Sequence, residues 1–230
     1  MNSAHRDFFA QNGFLKLPAF HSRARLAGIK AGVLKELKRS PNYAGTSKSH
    51  RKLPIFQQIV RLSALVKVRG AHEELMTSEL LEIIGEVAEQ PPSSIQETQF
   101  LLSPPNQGSW TLAGMNWHVD VQADGTDRVP GVQAFFLIDD VVPHGGATLA
   151  LAGSHKLKRA GPSSLSGLRE ILKSHVDLED KLRDIGLTVL EMSGQAGDVY
   201  LMDMRTLHTP SINDSKNVRI MATCRCLLER

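Results

Sequence analysis

The sequence predicts a mainly β protein, either a β-sandwich or a jelly roll, that is supported by N-terminal helices. Apolar residues recur at helical spacing in the first part of the chain, whereas from Ile95 onward short β-like runs alternate with turn clusters. Helices followed by many evenly spaced strands are typical of such folds. We find no linker, so we expect one domain, with helical support and a lid region over residues 1–94 and the jelly-roll core over 95–230.

The N-terminal part combines helical patterns with one short strand. Ser3 is a suitable N-cap for a short helix over 4–12, and the alternation in Phe14–Leu17 predicts a strand. The polar, basic segment 38–52 is either a solvated loop or a mobile lid that contacts an anionic substrate. The longer helical patterns cover residues 22–39, 55–67 and 78–89, and the prolines at 91 and 92 end the last of them.

The second part contains the strands of the core. Each run is short, has the composition or alternation of a strand, and is bounded by residues that favour turns. One helical insertion, at about 164–185, interrupts the series. The strand-like runs cover residues 95–103, 114–121, 131–138, 146–152, 187–192, 197–202 and 217–228.

The composition excludes several classes of protein. The 230 residues are 41% hydrophobic and 22% charged with a net charge of +3, and no basic, aromatic-rich stripe suggests nucleic-acid binding. No apolar stretch approaches the roughly 18 residues of a membrane span, and no signal peptide pattern is present. Cys224 and Cys226 lie two apart in a predicted strand and are expected to be free thiols. We therefore expect a cytoplasmic protein that binds a small molecule; the sequence leaves its oligomeric state open.

The pair His118 and Asp120 is the strongest functional signal. Residues two apart on a strand point to the same side, so both side chains can reach one ion. Two histidines and one carboxylate with open positions are typical of non-haem Fe(II) oxygenases. A second copy of the triplet, His175–Asp177, lies between helical patterns, where Asp177 is predicted to be the N-cap of a helix over 178–185.

His208 is the candidate for the second histidine ligand, although an isolated histidine among apolar residues is also common in a protein core. If the chain forms a hairpin after it, Arg219 lies roughly opposite, because the turn residues 211–216 fall midway between the two. Fe(II) and Asp120 together leave one positive charge. A dicarboxylate such as 2-oxoglutarate and the Arg219 guanidinium would bring the sum to zero. The alternative is a surface arginine on an edge strand.

These residues resemble the phytanoyl-CoA dioxygenase-like family of Fe(II)/2-oxoglutarate-dependent oxygenases. Trp117–Asp120 is similar to the family's Trp-His-x-Asp motif, and Gly145–His155 is similar to its glycine-led strand that ends in Gly-Ser-His. The segment from Gly197 through His208 to Arg219 resembles the family's distal histidine and cosubstrate arginine. The resemblance spans nearly the whole chain, although residues 22–94 match only in general character.

The resemblance implies a double-stranded β-helix, that is, a jelly roll, in which His118, Asp120 and His208 are the metal ligands and catalytic centre. It also implies that Arg219 binds 2-oxoglutarate, with Gln99 as a further contact. The family often has a hydroxyl two residues after the distal histidine, where this chain has a proline, so we expect Thr209 to take that role. Arg225 is either a substrate contact or part of a salt bridge, Trp117 is expected to contact the substrate, and His144 and His155 are expected to be structural.

The implied activity is that of an Fe(II)/2-oxoglutarate-dependent dioxygenase, with Fe(II), 2-oxoglutarate and O2 as cofactors. In related halogenases a small residue replaces the carboxylate ligand, so Asp120 favours hydroxylation, or desaturation or cyclisation, of a small metabolite in natural-product biosynthesis. The alternatives are a metal-binding jelly-roll protein without turnover and a cupin-type isomerase or hydrolase. Neither alternative explains an arginine opposite His208.

Overall fold

The computed structural model describes residues 3–39, 52–122, 128–157, 165–173 and 177–229. The helices are α1 (Ser3–Asn12), α2 (Arg23–Arg39), α3 (Ile55–Ser63), α4 (Ala71–Leu75), α5 (Ser78–Ala88), α6 (Leu165–Leu172) and α7 (Leu178–Asp184), with a short 3-10 helix at Ser154–Lys156. The strands are β1 (Phe14–Leu17), β2 (Ser94–Ile95), β3 (Gln99–Ser103), β4 (Gly131–Leu137), β5 (Thr148–Ala152), β6 (Thr188–Glu191), β7 (Val199–Asp203), β8 (His208–Pro210) and β9 (Arg219–Leu227).

The strands form two antiparallel sheets. In the larger sheet β1, β7, β4 and β9 lie side by side, and the other edge of β9 pairs with β2 and β3. In the smaller sheet β5 lies between β6 and β8. The prediction of a mainly β fold with N-terminal helices is therefore confirmed.

Alternating residues divide the larger sheet into a helix-covered face and an inner face. On β9, Ile220 and Ala222 pack with the N-terminal helices in one hydrophobic cluster, to which α2 contributes Leu26 and Val33. Met221 belongs to a different cluster that joins residues of both sheets. The period of two along β9 thus matches the sequence pattern, and the odd-numbered positions of this strand face the space between the sheets.

The outer side of the smaller sheet is covered by the helical insertion. Leu149 and Leu151 of β5 pack against a leucine-rich cluster contributed by α6 and α7. Burying these side chains stabilises the fold by roughly 1.5–3 kcal/mol each. The insertion therefore supports the sheet that carries one of the candidate metal ligands, His208 on β8.

Several boundaries differ from the sequence prediction. The predicted helix over 55–67 ends at Ser63, and α4 was not predicted because five residues are too short to show a period. The predicted strand over 114–121 is mostly loop, with one isolated bridge at His118. Asp177 does precede α7, but it has a φ of 52° and its side chain makes no capping hydrogen bond. Most of segment 38–52 lies outside the described residues.

Both cysteines are buried free thiols, as expected. The Cys224 thiol contacts the backbone carbonyl of Gln96 at 3.0 Å. Among the described helices, none is both long and apolar enough to cross a membrane.

Candidate metal centre

His118, Asp120 and His208 come together at the end of the smaller sheet. One ligand atom from each lies within 4.8 Å of the corresponding atoms of the other two. Within the described part of the chain, this is the one group of three histidine, cysteine or acidic side chains with that spacing. The structure thus places His208 at one point with a pair of residues that precede it by at least 88 positions, as the sequence had suggested.

The two histidines are joined through their backbones. The amide of His118 donates to the carbonyl of His208 at 3.0 Å, and the amide of His208 donates back at 2.9 Å. The amide of Asp120 donates to the carbonyl of Met204 at 3.2 Å. His118 and Asp120 therefore follow a short bridge to β8 rather than a full strand of their own, which the alternation in the sequence had suggested.

Hydrogen bonds set the orientation of both imidazole rings. His118 Nδ1 lies 3.1 Å from the carbonyl of Asn116, and His208 Nδ1 lies 3.1 Å from the carbonyl of Thr206. A carbonyl only accepts, so each Nδ1 is the protonated nitrogen and each Nε2 keeps a lone pair. A backbone partner at the other ring nitrogen is the usual arrangement of metal-binding histidines.

Burial keeps His208 neutral. Its desolvation, together with the nearby His118 ring, lowers the pKa of His208 to about 4. The ring centroids of the two histidines are 4.3 Å apart, which two charged imidazoles would not favour. At neutral pH His208 therefore has no proton to release before it binds a cation.

The carboxylate of Asp120 is held by the guanidinium of Arg225. Arg225 Nε donates to Asp120 Oδ2 at 3.0 Å and Nη2 donates to Oδ1 at 3.0 Å. Asp120 Oδ2 also lies 3.9 Å from Nε2 of His208. Of the two interpretations of Arg225, the salt bridge is the one that the structure contains, and its partner is the candidate metal ligand itself.

Arg219 reaches the same cavity from the other sheet. The predicted hairpin between His208 and Arg219 is wrong, because β8 pairs with β5 in the smaller sheet while β9 pairs with β3 and β4 in the larger one. The chain crosses between the sheets at residues 211–218, so the two residues line one cavity from different sheets and do not pair in one ladder.

The Arg219 guanidinium is fixed by two backbone carbonyls. Nε donates to Gly146 and Nη1 donates to Leu101, each at 2.7 Å. Burial lowers the pKa of Arg219 to about 9, so the group stays charged at neutral pH. Within the described residues no carboxylate pairs with it. A buried cation of this kind is suited to an anionic ligand.

The two histidines of the candidate metal site line a cavity of about 760 Å³. Its inner wall includes His118, His208 and Arg219, and its outer wall is formed by α3 and the segment that leads to α4. Phe56 and Val60 of α3 are about half exposed and line this outer wall. This volume is within the range of small-molecule sites.

Among the other predicted contacts, Gln99 and Arg225 line the cavity. Gln99 of β3 is the register partner of Thr223, whereas Ser103 is the register partner of Arg219. Thr209 lies between two cavity-facing residues of β8 and donates its hydroxyl to the carbonyl of Pro210. Trp117 packs with the leucine-rich cluster outside the smaller sheet and is not among the residues that line the cavity.

The two histidines that were expected to be structural lie away from the metal centre. His144 stacks on Trp110 with ring centroids 4.2 Å apart. His155 is buried against the N-terminal helix, where its Nε2 lies 3.0 Å from the carbonyl of Ala10, and burial lowers its pKa.

Gln133 is a cavity residue that the sequence analysis missed. It is 3% exposed, and its amide nitrogen donates to Thr223 Oγ1 at 2.9 Å. The Thr223 hydroxyl donates to the carbonyl of Ala134, so it can only accept from Gln133, and this fixes the orientation of the amide. A single glutamine within the apolar run 132–138 was the signal available in the sequence.

The sequence model of the family described as Phytanoyl-CoA dioxygenase (PhyH) matches residues 9–221. The chain belongs to this family. The PhyH family comprises Fe(II)- and 2-oxoglutarate-dependent oxygenases, and the protein shares that cofactor class. No curated protein matches it in sequence.

Solved structures of PhyH-like oxygenases have the same fold. AviO1 from Streptomyces viridochromogenes Tue57 is 20% identical with a TM-score of 0.66, over 99% of this chain and 95% of that one. EctD from S. alaskensis, solved with 2-oxoglutarate and 5-hydroxyectoine, is 16% identical with a TM-score of 0.62, over 99% and 76%. The epimerase SnoN, solved with Fe3+, alpha ketoglutarate and nogalamycin RO, is 15% identical with a TM-score of 0.60, over 98% and 82%.

The donor atoms of this PhyH-family chain fit iron and 2-oxoglutarate. Two imidazole nitrogens and one carboxylate match the facial set that non-haem Fe(II) oxygenases use. The same cavity is lined by a buried arginine that has no carboxylate partner among the described residues, which suits a dicarboxylate cosubstrate. The two groups were derived from separate parts of the sequence, and the fold brings them into one cavity.

Gly146 offers a test of how the guanidinium of Arg219 is held in place. Its φ is +78°, and a Cβ there would lie 2.7 Å from Asn213 Cβ and 2.8 Å from Ser103 Oγ. We expect Gly146→Ala to lower the free energy of unfolding by more than about 2 kcal/mol and to weaken 2-oxoglutarate binding, because its carbonyl holds Arg219. Chemical denaturation and cosubstrate titration measure the two effects.

Gly186→Ala is the matched control for Gly146→Ala. Gly186 has a φ of +77°, but a Cβ there meets no atom within 4 Å. It should cost about 1 kcal/mol and leave cosubstrate binding unchanged. Equal losses of stability in the two variants would show that the close contacts at Gly146 are unimportant.

Proposed function

We propose that this protein is an Fe(II)- and 2-oxoglutarate-dependent dioxygenase that hydroxylates a small metabolite. The observation that carries the proposal is that one cavity is lined both by His118 and His208, which with Asp120 form the candidate metal site, and by Arg219. One set of residues would hold the metal, and the arginine would hold the far carboxylate of the cosubstrate. A jelly-roll protein without turnover, or a cupin-type isomerase or hydrolase, would need the metal-holding residues but not the arginine.

The residues of the chain bind and orient the reactants. When bound, iron with 2-oxoglutarate and O2 supplies the oxidising power that converts a substrate C–H bond to an alcohol, with succinate and CO2 as the other products. The histidines and Asp120 would fix the metal, Arg219 would fix the cosubstrate, and Phe135 and Phe100 would exclude water from the cavity. No side chain needs to act as an acid or a base.

The cavity favours an apolar substrate that is neutral or weakly acidic. Its outer wall presents Phe56, Ile59 and Val60 to the interior. Arg225 offsets the charge of Asp120, so a bound ferrous ion, the cosubstrate dianion and Arg219 together leave one positive charge in the inner cavity. A cationic substrate would be repelled there.

Hydroxylation is the outcome that we propose, although the same first step can lead to other products. Asp120 occupies the position that a small residue takes in halogenases, so the carboxylate leaves less room for a halide. SnoN, an epimerase from nogalamycin biosynthesis, has the same fold. Natural-product biosynthesis is accordingly the setting that we propose, with desaturation or cyclisation as the alternatives to hydroxylation.

The decisive experiment is an anaerobic titration of the protein with Fe(II) and 2-oxoglutarate. We expect the weak visible charge-transfer band of the chelate to need both additions and to be absent in His118→Ala. His144→Ala is the control, because this histidine stacks on Trp110 away from the metal centre and should leave the band intact.

A band in the wild-type protein justifies a substrate screen by succinate release. Products that have gained one oxygen atom would support hydroxylation, whereas products that have lost two hydrogen atoms would favour desaturation or cyclisation. Metal binding with no band on addition of 2-oxoglutarate would contradict the proposed function and favour a metal-binding jelly-roll protein without oxygenase turnover.

A further inference from the structure

The pair formed by Arg225 and Asp120 lies within the metal centre. Two parallel hydrogen bonds, each 3.0 Å long, join the guanidinium to both carboxylate oxygens. The Asp120 side chain is 11% exposed and that of Arg225 is 32% exposed. Within the described residues, Asp120 is the one acidic group at ion-pair distance from Arg225.

The backbone fixes where this guanidinium can lie. Arg225 is on β9, which pairs on one side with β4, and its register partner there is the buried Gln133. Gln133 is itself held by its hydrogen bond to Thr223, two residues before Arg225 on the same face of β9. The stem of Arg225 therefore starts from a rigid part of the sheet, whereas Asp120 lies in a loop.

The paired hydrogen bonds restrict what the carboxylate can offer to a metal. Each carboxylate oxygen has two lone pairs, and Arg225 takes one from each oxygen. Oδ2 is the oxygen 3.9 Å from Nε2 of His208, so its remaining lone pair is the one next to the imidazole ligand. Oδ1 is held by Nη2 of Arg225.

We propose that Arg225 is a positioning residue that keeps Asp120 a one-oxygen metal ligand. Two histidines and one carboxylate oxygen leave three positions of an octahedral metal open. A cosubstrate that chelates uses two of these positions and O2 uses the third, so a carboxylate that bound through both oxygens would block one. This inference rests on the proposed function, because the open positions matter only if cosubstrate and O2 both bind.

Holding the carboxylate in this way has a cost in metal affinity. The positive guanidinium offsets part of the charge that Asp120 presents to a cation. Removal of Arg225 should therefore leave metal binding as strong as before or stronger. The dianionic cosubstrate should bind more weakly, because the inner cavity then carries one positive charge less. A salt bridge that only stabilised the fold would not separate the two affinities.

The test uses Mn(II) in place of Fe(II), in the full-length protein without oxygen. The enhancement of water-proton relaxation by bound Mn(II) reports how many water molecules the metal carries. For Arg225→Gln we expect this enhancement to fall by about a third, because one of three open positions is lost. We also expect the Kd for 2-oxoglutarate to rise about 10-fold and the Kd for Mn(II) not to rise.

Two further variants separate geometry from charge and from general effects. Arg225→Lys keeps the charge but loses the planar fork, so it should lower the relaxation enhancement as Arg225→Gln does. It also serves as the test if the glutamine variant unfolds. Arg23→Gln is the control, because Arg23 forms a similar two-bond pair with Asp140 on the surface and should change neither affinity.

The outcomes are distinct. An unchanged relaxation enhancement in both Arg225 variants would overturn the inference, as would a loss of Mn(II) affinity as large as the loss of cosubstrate affinity. Failure of the wild-type protein to bind 2-oxoglutarate would instead overturn the proposed function.

Discussion

Replacing His208 with alanine should lower Fe(II) affinity by more than about 100-fold and abolish turnover. Loss of the hydrogen-bond partner that orients a metal-binding histidine can already cost 10–100-fold, and His208 is expected to be a ligand itself. The side chain is buried, its Nδ1 faces the carbonyl of Thr206, and its Nε2 faces the other two ligands. Isothermal titration of the metal-free protein with Mn(II) or Fe(II), without oxygen, measures the loss.

His155→Ala is the control for this loss. His155 is also buried, but it contacts the N-terminal helix through the carbonyl of Ala10. That variant should unfold at a lower temperature and bind metal as the wild type does. If His208→Ala bound metal within about threefold of the wild type, His208 would be a core histidine and the metal centre would need another ligand.

Replacing Arg219 with alanine should raise the Kd for 2-oxoglutarate about 100-fold and change the Kd for the metal by less than about threefold. A desolvated charged hydrogen bond is worth about 1.5–3 kcal/mol, and tenfold in affinity corresponds to about 1.4 kcal/mol. Arg219 is not among the metal ligands, so the two affinities should separate. Cosubstrate titration of the Mn(II)-loaded protein measures the first, and metal titration measures the second.

The lysine variant identifies which property of Arg219 matters. Arg219→Lys keeps a positive charge but cannot contact Gly146, Leu101 and a carboxylate in one plane. We expect it to recover only part of the cosubstrate affinity. An equal weakening of metal and cosubstrate binding in Arg219→Ala would contradict a direct contact and indicate a structural role instead.

The metal ligands could be predicted from the sequence because their signal is mostly local. The predicted strand around His118 and Asp120 is largely loop. Both side chains still point to the same site, because one bridge to His208 is enough to direct them. Arg219, the predicted cosubstrate residue, lines the same cavity as the two histidines. The physical argument for Arg219 is that a desolvated cation balances the charge of a metal-bound dianion. This argument holds whichever sheet carries the arginine.

The errors came from long-range geometry. A turn midway between His208 and Arg219 is compatible with a hairpin and with a crossover between sheets, and the sequence does not distinguish them. Thr209 is not among the cavity-lining residues, because neighbouring residues of a strand point to opposite faces. The contact between Arg225 and Asp120 joins residues 105 positions apart, and no periodic pattern reports such a pairing.

The reciprocal backbone bonds between His118 and His208 bear on how the protein takes up and loses its metal. Much of the ordering that metal binding costs in small zinc domains is already provided by the β-sheets here. A chelator should therefore remove the metal and leave the protein folded. The gain in thermal stability on reloading should then follow the concentration of free metal relative to its Kd. Iron supply in the cell would thus control the active fraction of this enzyme, while its abundance would depend on the apoprotein fold.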